Sequence, residues 1–159
     1  MEITVSVALP RDSVSVPVIR SLTSQALRIL EVDDSCIADI ETALSEACTN
    51  VLLHAAAGDE YSVSTTIDGR QCVIEVVDSG HGFDPSALED PLSEPQADHG
   101  RGLLLMKQLV DTVTFDAGER AGTVVRMEKK LYWRHEDAVG RRLEQDPEDR
   151  PATARPAHG

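Results

Sequence analysis

Three short motifs carry residue types that suit chemistry. Glu46, Asn50 and His54 stand four residues apart in the stretch ETALSEACTNVLLHAAA, Glu41 to Ala57. Four residues advance a little over one helical turn, so these side chains form one polar line along a helix. Ile37, Ile40, Leu44, Ala47, Val51 and Ala55 form an apolar stripe beside that line. A solvated face would carry Lys and Glu; this one sets a carboxylate, a carboxamide and an imidazole at the seam between core and solvent. Taken alone, the line also suits an amphipathic helix whose Asn and His satisfy backbone groups. The second motif is Asp78-Ser79-Gly80-His81-Gly82-Phe83. Its glycines let the backbone approach a ligand closely, and its carboxylate is suited to accept a hydrogen bond from an exocyclic amine such as that of adenine. The third is Gly100-Arg101-Gly102-Leu103 at a helix start, where free N–H groups and the helix dipole attract phosphate. In isolation the second also reads as a Gly-rich turn and the third as a loop before a helix.

The elements that must position these motifs are legible in the periodicities. Ile3, Val5, Val7 and Leu9 alternate with polar residues as a strand ended by Pro10, and Val18, Leu22, Ala26, Ile29 and Leu30 recur at helical spacing in a first helix starting between Ser15 and Val18. Asp33, Asp34 and Ser35 are N-cap types just before the Ile37 stripe, and Gly58 suits the end of that helix. Tyr61 to Ile67 and Cys72 to Val77 alternate across the turn signal Asp68-Gly69, which predicts a hairpin. Glu75 belongs outside, so Cys72, Ile74, Val76 and Asp78 face inward, and an inward carboxylate needs a partner. Pro85 to His99 is too polar and Pro-rich to pack, which predicts a mobile lid. Leu103, Met106 and Val110 mark a third helix, and Thr112 to Asp116 with Thr123 to Lys129 predict a second hairpin.

Composition narrows the function. The 159 residues suit one domain with a real core. A formal net charge of -13 opposes binding to phosphate backbones or anionic lipid, so neither nucleic acid nor membrane is expected as a partner. The start at Met1 and Glu2 has no secretory pattern, no apolar run reaches spanning length, and Cys36, Cys48 and Cys72 read as buried thiols in a reducing compartment. The expected location is the cytoplasm. From residue 133 on, charges and prolines dominate, so the expected division is a folded domain at 1–132 and a disordered tail at 133–159.

In combination and in this order, ExxxNxxxHA, DSGHGF, a long lid, GRGL and a strand beginning Gly122-Thr123 resemble the GHKL ATPases. The resemblance covers Ile3 to Lys129, and the HGRGLLLMKQLVD stretch is most similar to the bacterial anti-sigma factor serine kinases. It implies a two-layer α/β sandwich, with a mixed, mainly antiparallel sheet and helices on one face. It also implies ATP with Mg²⁺, held by Asn50, and Glu46 as the catalytic base acting on water or a substrate serine. Asp78 would accept the adenine amine with Thr123 in support. Gly80 and Gly82 would form the nucleotide-side turn, and Gly100, Arg101, Gly102 and Leu103 the phosphate end. His54 is expected to be structural, His81 and His99 to have no chemistry, and Arg101 either to meet the terminal phosphate or to be solvated.

The function implied is an ATP-dependent serine/threonine kinase that phosphorylates an anti-sigma factor antagonist and sequesters a sigma factor, with a homodimer through the first strand and helix. The alternative is a nucleotide-dependent binding regulator with little or no phosphoryl transfer; a bare ATPase lacks an output domain. Asp78→Asn is expected to weaken adenine nucleotides far more than it lowers stability.

Overall fold

Period-two alternation writes the sheet. The computed structural model describes residues 1–54, 60–78, 99–117 and 123–135. Within them lie β1 (Ile3–Pro10), β2 (Glu60–Ile67), β3 (Gln71–Asp78), β4 (Thr112–Ala117) and β5 (Thr123–Lys130). They form one sheet in the order β1-β2-β3-β5-β4, antiparallel at each pairing. The buried alternates, Val63 and Ile67 of β2, Ile74 and Val76 of β3, Val125 and Met127 of β5, all turn to one side. Helices α1 (Ser15–Ile29), α2 (Asp34–His54) and α3 (His99–Leu109) pack there. On the other face hydroxyls pair across strands, Thr4 with Thr66 at 3.1 Å and Ser6 with Ser64 at 3.0 Å. Arg126 there reaches Glu75 at 2.5 Å and Glu128 at 3.0 Å. An apolar inner face and a polar outer one make the expected two-layer α/β sandwich.

The centre of the inner layer is α2. Asp33 caps it, its Oδ1 accepting the Ser35 N–H at 2.9 Å and its carbonyl the Ile37 N–H at 3.1 Å. The hydroxyl of Ser35, then its N–H, hold the Asp33 carboxyl below the usual range. Ile37, Ile40, Leu44, Ala47 and Val51 are all buried, as the stripe predicts, and each large side chain contributes roughly 1.5–3 kcal/mol. Lys129 of β5 ties two helices together, donating to Asp39 Oδ2 of α2 at 2.9 Å and to the Leu109 carbonyl of α3 at 2.8 Å.

One helix turns a face other than the expected one inward. In α1, Val18, Leu22 and Ile29 of the expected apolar line are exposed. The buried face runs through Ser15, Ile19, Thr23 and Leu27. Both lines share the four-residue period, so spacing cannot choose between them. What hides the inner line is its polar members: Ser15 is buried because its hydroxyl is bonded to Tyr61 at 2.6 Å and donates to the Asp12 carbonyl at 2.7 Å.

The exit of α1 is joined to the chain beyond β5. Val32 N–H bonds to the Leu27 carbonyl and Glu31 N–H to that of Arg28, the double bond pattern of a Schellman end, with Glu31 at φ 62° in the left-handed region. Val32 then bridges to Trp133, Asp33 N–H donates to the Tyr132 carbonyl at 2.8 Å, and Arg134 N–H to that of Glu31 at 2.9 Å. Arg134 also pairs with Asp34. The boundary expected after residue 132 therefore cuts through a bonded clasp. Ala55 and the helix end expected at Gly58, the Gly80 to Phe83 turn, the expected lid before His99 and the tail from residue 136 lie outside the described residues, while His99 itself opens α3.

Candidate functional site

Strand register builds one end of the site. Leu9, Tyr61, Asp78, Thr123 and Ala117 are partners in one row across the sheet. The inward parity of β3 buries Asp78, which is 3% exposed. Its partner is Arg11 from the β1–α1 connection, whose guanidinium Nη2 donates to Asp78 Oδ1. The two side chains are 12% and 4% exposed, so this ion pair is largely shielded from water. Beside it Tyr61 carries a hydroxyl bonded to Ser15 and in reach of the Cys48 thiol of α2. Burial pushes Tyr61 up to about 12 and Cys48 up to about 12. Both groups stay protonated near neutrality.

Helix packing builds the other end. The α3 axis closes on α2 at Gly102: a Cβ there would stand 2.7 Å from Glu46 Oε2 and 3.5 Å from Asn50 Oδ1. Glu46 and Asn50 thus lie side by side against the first turns of α3, both half-buried, with oxygens gathered at the glycine. Cys48, two residues from each along α2, faces the other way, toward Tyr61 in the Asp78 row.

The structure therefore brings Glu46, Asn50 and Gly102 together, and sets Thr123 across from Asp78. Gly100 is in the first turn of α3, where backbone N–H groups lack helical acceptors. Arg101 is exposed. Leu103, expected at the phosphate end, is 8% exposed and packed in the core, so its side chain anchors α3. His54 ends α2. Gly80 and Gly82 lie outside the described residues. Arg11 was not foreseen, although two signals pointed to it: the inward carboxylate demanded a cation, and Arg11 is the first basic residue beyond β1.

Asn50 at the α2–α3 seam would be the residue to hold a magnesium ion. The Asn50 oxygen stands 3.5 Å from where a Cβ on Gly102 would be, beside the Glu46 carboxylate, and a neutral oxygen donor suits this hard cation. Among the described residues no three His, Cys, Asp or Glu side chains gather as a metal cage. Such an ion would complete its shell with nucleotide oxygens and water.

A model of the histidine kinase-like ATPase domain matches residues 9–129, from the end of β1 to the end of β5. The anti-sigma F factor of Clostridium botulinum strain Eklund 17B is 33% identical over 103 residues, 60% of this chain and 71% of that one. The serine-protein kinase RsbW of Halalkalibacterium halodurans is 34% identical over 137 residues, 80% of this chain and 83% of that one. Among solved structures, the RsbU and RsbW domains of Rv1364c from Mycobacterium tuberculosis align with TM-score 0.63 at 21% identity, over 81% of this chain and 32% of that one. At that identity the likeness is one of fold. The chain belongs to the histidine kinase-like ATPase domain family, with these anti-sigma factors and serine-protein kinases as its relatives.

Proposed function

We propose that this protein is an ATP-dependent kinase that transfers the γ-phosphoryl group to a serine or threonine of an anti-sigma factor antagonist, and that it also sequesters a sigma factor. The observation that carries the reading is the meeting of Glu46, Asn50 and Gly102 at the α2–α3 seam. The relatives named anti-sigma F factor and serine-protein kinase support it.

In this reading Asp78 accepts the adenine amine, backed by Thr123 on the adjoining strand, and Gly80 and Gly82 form the turn over the nucleotide. Gly100, Arg101 and the backbone of Gly102 and Leu103 meet the phosphate end. Asn50 holds Mg²⁺ on the triphosphate; the ion's contribution is to neutralise charge on the phosphate oxygens. Glu46 takes the proton of the attacking hydroxyl. The oxygen–phosphorus bond to the substrate forms as the bond to the β-phosphate oxygen breaks, leaving ADP. A homodimer through β1 and α1 belongs to the proposal, since β1 is an edge strand, Val14 just before α1 is exposed, and α1 turns Val18 and Leu22 outward.

The test incubates the full chain with Mg²⁺, γ-labelled ATP and the small regulatory proteins encoded beside it. The expected result is label on a serine or threonine of one of them, located by mass spectrometry. A tight, nucleotide-dependent complex that never carries label would replace this reading with that of a binding regulator.

A further inference from the structure

The pair between Arg11 and Asp78 lies at the proposed adenine end yet belongs to no expected part of it. Two strand spacings, on the order of 10 Å, separate β1 from β3, and Arg11 reaches over β2 to close that gap. Its own backbone is fixed. Asp12 N–H donates to the Pro10 carbonyl at 2.8 Å, Val14 N–H to Asp12 Oδ1 at 3.1 Å, and Ser15 N–H to the Asp12 carbonyl at 2.9 Å. The guanidinium is therefore presented by a turn bonded to itself on both sides of Arg11, then stapled to β2 through Ser15 and Tyr61 at 2.6 Å.

A buried ion pair is weak ground for stability, because desolvation offsets much of the attraction and an apolar pair of similar volume packs as well. What this one supplies that an apolar pair cannot is orientation. A carboxylate offers about four lone-pair sites, and Arg11 takes one of them at Oδ1. With Oδ1 engaged by Arg11, rotation of the Asp78 carboxylate about its χ2 bond is arrested. An acceptor so arrested meets an amine without first losing rotational freedom, and it meets the carbonyl oxygen of guanine only with repulsion.

We propose that Arg11 is a positioning residue for base selection: through Asp78 it sets the preference for a nucleotide carrying an exocyclic amine over one carrying an oxygen there. The inference rests on the reading of Asp78 as the adenine acceptor. Arg11 itself has donors only, so it acts through Asp78 and not as a substitute for it.

Calorimetry with Mg-ATP and Mg-GTP on the full chain tests this, with thermal unfolding recorded in the absence of nucleotide. Arg11→Met should narrow the ATP-to-GTP affinity ratio by roughly 10-fold, the scale of one charge-assisted hydrogen bond. Arg11→Lys, which keeps the charge but loses the fork, should recover part of the ratio. In an Asp78→Asn background, Arg11→Met should leave the ratio where Asp78→Asn put it, since residues that act through each other do not add. If Arg11→Met does not fold, Arg11→Gln is read for the same loss. A wild-type ratio in the Arg11 variants, with Asp78→Asn alone losing it, would overturn the positioning role and leave Arg11 as a structural partner. A wild-type ratio in Asp78→Asn would overturn the adenine reading itself, and the present inference with it.

Discussion

Replacing Gly102 with alanine should separate stability from catalysis, because the two move in opposite directions. The backbone at Gly102 is helical, and Ala in place of Gly favours a helix by about 0.5–1 kcal/mol. The new Cβ would stand 2.7 Å from Glu46 Oε2, and ordinary contact begins at 3.4 Å. The carboxylate at the end of a flexible side chain can retreat by about 0.7 Å, so folding tolerates the change, but a misplacement near 1 Å at a reacting group costs on the order of 10²-fold. The expected variant is as stable as wild type or slightly more so, and transfers phosphate roughly 10- to 100-fold more slowly. Thermal unfolding and single-turnover transfer from labelled ATP at saturating nucleotide read the two quantities. Wild-type turnover in Gly102→Ala would refute the argument that the Glu46 carboxylate is held in place by the absence of a side chain on α3.

Other outcomes follow from the same geometry. Asp78→Asn should weaken ATP and also lower stability by about 3 kcal/mol, because it removes the charge of the buried carboxylate that pairs with Arg11; denaturant unfolding without nucleotide measures this. Truncation after His135 should preserve the thermal midpoint, whereas truncation after Tyr132 should lower it through loss of the Trp133 bridge and the Arg134 bonds. Above about pH 9, where thiols of the unfolded chain ionise, stability should fall steadily. Burial holds Cys48 and Cys72 neutral until about 12, so the unfolded chain releases protons that the folded one keeps. Denaturation midpoints at pH 8 and 10 check the sign.

The parts legible in the sequence are those written by local period. The α2 stripe, the Asp68 turn, the inward parity of Asp78 and the helix opened by GRGL each depend on neighbours a few residues away. The inner face of α1 was not legible, since two lines share its period and Ser15 enters the core through bonds to a hydroxyl of β2 and to the Asp12 carbonyl. Arg11 as the partner of Asp78 required the strand order, which places β1 two strands from β3. The gathering of Glu46, Asn50 and Gly102 joined two legible motifs, but the 2.7 Å approach comes from how α3 docks on α2. A clasp made by an isolated bridge at Trp133 and the single bonds beside it leaves no periodic trace at all.

The most direct test of the central claim is the single-turnover rate of phosphoryl transfer by Glu46→Gln at saturating Mg-ATP, with a substrate protein established for the wild type. Glutamine keeps the shape of the side chain beside Gly102 but cannot take a proton, and a positioned base contributes on the order of 10² to 10⁴ in rate. The account predicts unchanged ATP affinity and a loss of that size, while Asn50→Ala loses binding and transfer together. A Glu46→Gln enzyme that phosphorylates its partner at the wild-type rate would contradict it and leave Glu46 as a carboxylate at a helix edge.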